Sequence, residues 1–160
     1  MELQIQWTVI DNKMKLLIIF LIIITSLTSE YKAETWVITS KNSKLAELTE
    51  AQCKLLWLGD LDMIAGSRIF VVDQFTAVKV RERFYQNVAG MSKQQLQIYW
   101  AKKIFANGSF PPESKPNDEE VIKWVQQEKN RIGYINSESF TSEVKILYMV
   151  KDKQDTNDNN

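Results

Sequence analysis

Apolar residues recur at helical spacing in several parts of the chain, with polar residues between them. Thr49 to Gln52 forms a capping box, in which two side chains satisfy free backbone N–H groups, and it predicts a helix that ends at Gly59. A second helix is predicted before Gly90, and a second capping box, Ser92 to Gln95, opens the third. Their predicted apolar faces consist of Val80, Phe84 and Val88 in the second helix and of Leu96, Tyr99, Trp100, Ile104 and Phe105 in the third.

The third helical pattern stops abruptly. Gly108 is a typical helix-ending residue, and Pro111-Pro112 cannot continue a helix. Asn117 to Glu120 then resembles a third capping box. The helix that follows carries acids at its start and Lys129 and Arg131 at its end, as the helix dipole prefers. The sequence therefore predicts that the third helix ends at Gly108 and that a further helix begins near Asn117.

Four short segments have the composition of β-strands. Thr35 to Thr39 is β-rich, Ile132 to Ile135 and Val144 to Val150 are largely apolar, and Ile69 to Val72 is a continuous apolar run typical of a strand covered on both faces. Asp73 to Thr76 is predicted to be a turn. The order of elements (strand, helix, strand, three helices, two strands) predicts an α/β fold in which helices pack on a mixed sheet.

The N-terminal part of the chain has the pattern of a secretory signal. Met14 and Lys15 precede a mostly apolar run of twelve residues, 16–27, whereas a membrane-spanning helix needs about twenty. Met14 is the better start for this pattern, and cleavage is predicted after Ser29 or Ala33.

We therefore expect three parts. Residues 1–33 form a signal region, residues 34–150 form one binding domain, and the polar residues 151–160 form a disordered tail. After removal of the signal, the protein is expected to be periplasmic or secreted. An uncleaved signal would instead anchor the chain in a membrane, which is the only membrane contact that the sequence suggests.

The overall composition narrows the function classes. The 160 residues include 20 basic and 20 acidic side chains, and this balance gives no reason to expect binding to nucleic acid. The chain has no histidine and a single cysteine, Cys53, so we predict no internal disulfide, no metal site and no cofactor. It also lacks a serine–histidine or cysteine–histidine pair and a phosphate-loop signature, and it is not predicted to be an enzyme.

Several motifs resemble those of a known family. LTEAQCKLLWLG and IFVVDQ resemble the central part of phosphate ABC transporter substrate-binding (PstS-like) proteins. VRERFYQNVAGMSKQQLQIYWAKKIFANGSFPPE and VIKWVQQEKNRIGYI resemble small members of that family. The resemblance extends from Trp36 to Val150. It implies one lobe of a type II periplasmic-binding-protein-like fold, non-catalytic binding of phosphate or another oxyanion, and a structural role for the corner at Gly108.

Two features depart from the family's pattern. A complete binding protein of this type has two lobes that close on the ligand, whereas this chain is long enough for one. The family also holds phosphate with a Ser-Gly-Thr turn at the start of a helix, where hydroxyls and backbone N–H groups bind the anion. Counting back from Phe84 places Val78, Lys79 and Val80 at this turn, and none of them carries a hydroxyl.

Five polar residues near the expected ligand edge are the candidate anion-binding residues. Ser40 and Asn42 follow the first strand, at an edge where open α/β sheets bind ligands. Gln74, Thr76 and Lys79 lie before or at the start of the second helix. Each of the five also has an ordinary structural explanation as a turn former, a helix cap or an exposed charge.

Two functions therefore remain open. The first is an exported module that binds phosphate or a similar oxyanion. The second is a protein-interaction module that keeps the fold, has lost anion binding, and docks on an envelope protein or on a second copy of itself. In either case the charged residues Arg81, Glu82 and Arg83 are expected to be exposed and to form weak ion pairs.

Overall fold

The computed structural model describes residues 34–75 and 78–153. The predictions for the signal region 1–33, for Thr76 and for the tail beyond residue 153 lie outside the described residues. In the part that is described, no helix is long and apolar enough to cross a membrane. The helices are α1 (Glu50–Trp57), α2 (Lys79–Ala89), α3 (Lys93–Asn107) and α4 (Asp118–Gln126). The strands are β1 (Thr35–Ser40), β2 (Met63–Ile64), β3 (Ser67–Arg68), β4 (Phe70–Val71), β5 (Asp73–Gln74), β6 (Ser114–Lys115), β7 (Arg131–Asn136) and β8 (Val144–Val150).

The largest sheet has four strands in the order β4–β7–β1–β8. β4 runs parallel to β7, whereas β1 runs antiparallel to both of its neighbours, β7 and β8. β2 and β3 form a separate hairpin, and β5 pairs in parallel with β6. The main sheet is therefore mixed, as the sequence predicts.

The two faces of the sheet pack against different helices. Successive side chains of a strand point to opposite faces, and in β1 Val37 joins one apolar cluster while Ile38 joins the other. The larger cluster contains Leu56 of α1, Phe84 of α2 and Trp100 of α3, and the smaller one contains valines of α4. Helices therefore cover both sides of the sheet, which is the α/β arrangement expected from the order of elements.

Gly133, in the middle of β7, allows α4 to pack closely on the sheet. A Cβ atom at this position would lie 2.4 Å from Val121 Cγ1 and 3.0 Å from Val72 Cγ1. Carbon atoms in favourable contact are about 3.5–4.0 Å apart. The position therefore requires glycine because of the space available, not because of its backbone angles.

Three details differ from the sequence-based expectations. The run Ile69–Val72 contributes only the two-residue strand β4, and Phe70 is 43% exposed because β4 is the outer strand of its sheet. The residues after it form β5, where a turn is predicted. In α3, Phe105 is 91% exposed and only two of the five predicted apolar residues are buried. Phe105 lies about 180° around the helix from the buried Leu96, so it is on the side of α3 that faces solvent.

The corner after α3 lies where the sequence predicts it. Gly108 ends the helix with a left-handed φ of 70°, and its N–H donates to Ile104 O at 2.9 Å. This conformation suits glycine because a Cβ atom would be strained there.

Candidate functional site

The carboxyl ends of two short parallel strands define the candidate site. β5 and β6 run side by side in the same direction, and each is soon followed by a helix, α2 and α4 respectively. Both helices therefore begin near the same edge. Ligands of open α/β folds bind at such an edge, where backbone N–H groups at helix starts are available.

A buried carboxylate organises this edge. Asp73 is 1% exposed, and its Oδ2 accepts hydrogen bonds from Arg81 Nε and Tyr85 Oη at 3.0 Å each, with Arg81 Nη2 also at 3.0 Å. Its Oδ1 accepts from Gln74 N at 2.7 Å and from the hydroxyl of Tyr134. The negative charge is thus paired and hydrogen-bonded on both oxygens, as a buried ion must be to persist.

The groups around Asp73 keep their protons. Burial raises the pKa of Tyr85 and of Tyr134 well above the usual value, and the negative charge of Asp73 adds to the shift. Burial alone would lower the pKa of the Arg81 guanidinium, but the Asp73 carboxylate more than offsets this and raises it. Both tyrosines therefore act as neutral donors, and Arg81 remains a cation.

Asp118, the first residue of α4, is a second carboxylate that accepts several hydrogen bonds at this edge. Its Oδ1 accepts from Gln74 Nε2 at 2.7 Å, and its Oδ2 accepts from Asn136 N and Nδ2 at 3.1 Å each and from Ser139 Oγ at 2.7 Å. The positive end of the α4 dipole therefore already faces an acidic side chain of its own helix. We conclude that the start of α4 offers little to an external anion.

The start of α2 differs from the start of α4. Its N-cap residue, Val78, makes no side-chain capping bond, and the first turn contains only one acid, Glu82. Lys79 is exposed and makes no ion pair with another described residue. The start of α2 therefore has no side-chain cap from Val78 and carries an exposed cation, while Val78 N and Arg81 N donate to Phe75 O and Val78 O.

Gln74 connects the two carboxylates, Asp73 and Asp118. Its amide nitrogen donates to Asp118 Oδ1 and, at 2.9 Å, to Tyr134 O. Its Oε1 is buried and has no hydrogen-bond partner within the described ranges 34–75 and 78–153. An unpaired buried acceptor is costly, and such groups need a particular explanation.

The five sequence-predicted anion-binding residues do not come together. Gln74 and Lys79 lie at the edge just described, and Thr76 between them is outside the described residues. Ser40 lies at the other end of the sheet, because β1 is antiparallel to β7 and pairs Thr35 with Asn136. Six strand residues span roughly 20 Å, and Asn42 lies further along in the turn. The expectation applied a rule for parallel strands to a strand that runs in the opposite direction.

Sequence reasoning also missed the residues that build the edge. The sequence predicted that Arg81 is exposed. Its side chain is instead only 14% exposed, and it holds a buried carboxylate. Tyr85, Tyr134 and Asp118 were not recognised at all. An acid directly after a buried apolar run, as in IFVVD, is the one local signal that could have pointed to Asp73.

No protein-family model matches the chain, and no curated protein matches it. Solved structures do. A structure described as a phosphate ABC transporter substrate-binding protein with bound phosphate, from Clostridium perfringens, is 20% identical with a TM-score of 0.57, and the match covers 79% of this chain and 50% of that one. An ABC-type phosphate transport receptor from Vibrio cholerae is 14% identical with a TM-score of 0.59, over 78% of this chain and 50% of that one.

A third match, PstS from Borrelia burgdorferi, is 15% identical with a TM-score of 0.54, over 72% of this chain and 46% of that one. The chain thus spans about half the length of the structures that it resembles. These similarities confirm the fold expected from the sequence motifs, which is one lobe of a periplasmic-binding-protein-like fold with a mixed sheet.

Proposed function

We propose that the protein is an exported, non-catalytic binding module that holds phosphate or a similar oxyanion at the start of α2. The observation that carries this proposal is the start of α2 itself, where Val78 provides no side-chain cap and Lys79 has no acidic partner among the described residues. Backbone N–H groups at a helix start and the positive end of the helix dipole favour an anion at this place.

Gln74, at the end of β5, offers an acceptor at the same edge. Its buried Oε1 lacks a donor among the residues described, and a protonated oxyanion such as hydrogen phosphate carries a hydroxyl that can donate to it. Arg81 does not need to be recruited, because its charge is already matched by Asp73. In this proposal the Asp73 cluster positions the helix start, and the anion meets backbone N–H groups and Lys79.

The proposal assigns no chemical step. Burial raises the pKa of the Cys53 thiol to about 12, so this cysteine is not a nucleophile near neutral pH. The raised pKa values of Tyr85 and Tyr134 keep both phenols protonated near neutral pH, so neither is available as a general base. Solved structures of similar fold are described as substrate-binding proteins, one of them with bound phosphate.

Calorimetric titration of the purified protein with phosphate, and with sulfate for comparison, tests the proposal. We expect saturable heat with phosphate. The variant Lys79→Gln should weaken binding about two- to fivefold, as for an exposed ion pair. The matched variant Lys102→Gln, an exposed lysine of α3, should leave the affinity unchanged. If no heat of binding is measured at high phosphate concentration, the proposed oxyanion-binding function is wrong.

Export is tested separately by mass spectrometry of the protein after expression. Removal of the segment up to Ser29 or Ala33 would support export through a cleaved signal. A full-length chain recovered from the membrane fraction would support an uncleaved anchor instead.

A second candidate function is assembly with another copy of the chain. Phe105 and Phe110, at the end of α3 and after it, are 91% and 74% exposed. They are the sequence neighbours of Ile104 and Pro111, which line a groove of about 320 Å³ between α3 and Arg81. Exposed aromatic side chains close to an apolar groove are typical of protein–protein contact surfaces. Since the chain spans about half of the similar structures, a second copy is the occupant that would restore two lobes.

Light scattering tests this second candidate function, because it shows whether the protein is a monomer or a dimer. A dimer that Phe105→Ser/Phe110→Ser converts to a monomer would support it. A protein that is monomeric at high concentration would eliminate self-assembly, without affecting the phosphate titration.

A further inference from the structure

A separate cavity lies near the end of the sheet that carries Ser40, away from the start of α2. Its volume is about 420 Å³, within the usual range of small-ligand pockets, roughly 300–1,000 Å³. Three segments line it: the loop 43–46, the β2–β3 hairpin and the turn at 129–130. The apolar part of the lining consists of Leu45, Ala46, Ile64 and Ala65.

The three segments are fixed to one another by hydrogen bonds. Ser43 Oγ donates to Lys129 O at 2.5 Å, which joins the loop to the turn. Asn130 Nδ2 donates to Arg68 O at 2.9 Å, which joins the turn to the hairpin. Lys145 Nζ, from β8, donates to Leu45 O at 2.7 Å. The cavity is therefore largely formed before any ligand arrives, as is usual for binding sites.

The polar part of the lining is basic. Lys44 and Lys129 both line the cavity and are exposed, and neither makes an ion pair with a residue in 34–75 or 78–153. Lys145, bound to the Leu45 carbonyl, adds a third ammonium group close by. The described residues that line the cavity include no acid, although the whole chain has balanced charge. This local excess of positive charge indicates a negatively charged occupant.

Because part of the lining is apolar, a purely inorganic anion is not the ligand that fits this cavity best. Inorganic phosphate would meet the two lysines but would leave the exposed Ala46 and the partly exposed Ile64 in water, whereas a neutral hydrocarbon would leave the lysines unused. We propose that this cavity binds an aliphatic carboxylate, with the carboxylate between Lys44 and Lys129 and a short alkyl tail against Leu45, Ala46 and Ile64. This inference is independent of the proposed oxyanion site at α2.

Titration of the full protein with octanoate, followed by calorimetry, tests the proposal. We expect saturable binding that weakens about fourfold for each methylene group removed from the tail. Octanol, which has the tail without the charge, should bind at least about tenfold more weakly. Saturating phosphate should not displace octanoate, which separates this cavity from the site at α2. Octanol binding as tightly as octanoate would overturn the role of the lysines, and absence of saturable octanoate binding would overturn the proposal.

Matched variants locate the site. Lys44→Gln/Lys129→Gln should weaken octanoate at least about tenfold, because it removes the charge without shortening the side chains much. Lys54→Gln/Lys102→Gln removes two exposed lysines of α1 and α3 and should change nothing. Ala46→Trp, at an exposed loop position, should fill the cavity and abolish binding while circular dichroism stays unchanged. If both lysine pairs weaken octanoate equally, its binding is a general charge effect and the assignment fails.

Discussion

The buried Asp73–Arg81 pair allows a quantitative test of how the candidate edge is held together. In Asp73→Ala, Arg81 keeps its charge at 14% exposure but loses its only carboxylate within bonding distance among the described residues. The hydroxyls of Tyr85 and Tyr134 lose their acceptor in the same step. Removing one partner of a buried pair costs about 3–5 kcal/mol. We therefore expect the free energy of unfolding to fall by this amount, a large part of the ~5–15 kcal/mol typical of a domain.

A double variant separates two effects on stability: the loss of the ion pair, and the cost of leaving Arg81 buried without a partner. Asp73→Ala/Arg81→Met removes both charges and fills part of the space of the arginine stem. Replacement of a whole buried pair by apolar groups is often close to neutral. We expect the double variant to be more stable than Asp73→Ala by at least about 1 kcal/mol. Arg68→Ala, which removes an exposed pair with Asp62 at 3.9 Å, should have little effect.

Urea unfolding at neutral pH, followed by tryptophan fluorescence, measures these differences. Trp57 is a suitable reporter because it is buried and packs against Phe84 and Tyr134, next to the cluster. A loss below about 1 kcal/mol in Asp73→Ala would refute the reasoning, since it would mean that Arg81 finds solvent easily. A double variant no more stable than the single variant would show that packing, and not charge, dominates.

Three further predictions concern packing, pH and helix capping. Gly133→Ala should lower the free energy of unfolding by about 1–3 kcal/mol, because its Cβ would collide with Val121, and Val121→Ala in the same chain should restore part of the loss in urea unfolding. The pKa of Cys53 is raised from 9.0 to about 12 in the folded state, so the thiol's contribution to stability is fully present below pH 9 and is lost as the pH rises towards 12. The urea midpoint should therefore fall over this range, and less so in Cys53→Ala; an equal fall in both proteins would contradict the assignment. Ser92→Ala should cost about 1 kcal/mol through loss of the α3 cap, and an unchanged urea midpoint would show that the capping box is dispensable.

Local chemistry was the predictable part of this fold. Both complete capping boxes, Thr49 with Gln52 and Ser92 with Gln95, form as the sequence predicts, because they involve only neighbouring residues. The third is only half formed. Asn117 accepts from Glu120 N, but the Glu120 carboxylate lies 3.0 Å from Lys123 Nζ. A nearby charge competes for the side chain that would complete the box.

Long-range relationships were the part that the sequence could not supply. The direction of β1 depends on its pairing with β7 and β8, which lie far along the chain, and this direction separates Ser40 and Asn42 from Gln74. The burial of Asp73 depends on Tyr134, which is equally remote in sequence. The apolar face predicted for α3 included Phe105, but this residue lies about 180° around the helix from the buried Leu96 and is exposed.

The position of β1 at the centre of the sheet has a consequence for the order of folding. The first strand of the described chain has β7 on one side and β8, the last strand, on the other, and Thr35 pairs with both Asn136 and Val150. β1 has neither partner until residues 131–136 have been synthesised, and its second partner follows only with residues 144–150, so the sheet cannot be completed earlier. Pairings between such distant segments form slowly because the intervening loop must be closed first.

The central pairings of the main sheet therefore cannot be completed until β8 has been released. A chain in this condition can be threaded through a narrow channel, and it can also aggregate through its uncovered apolar strands. Circular permutation that joins β8 directly to β1 would make the central pairing local, and it should speed folding without altering the final sheet.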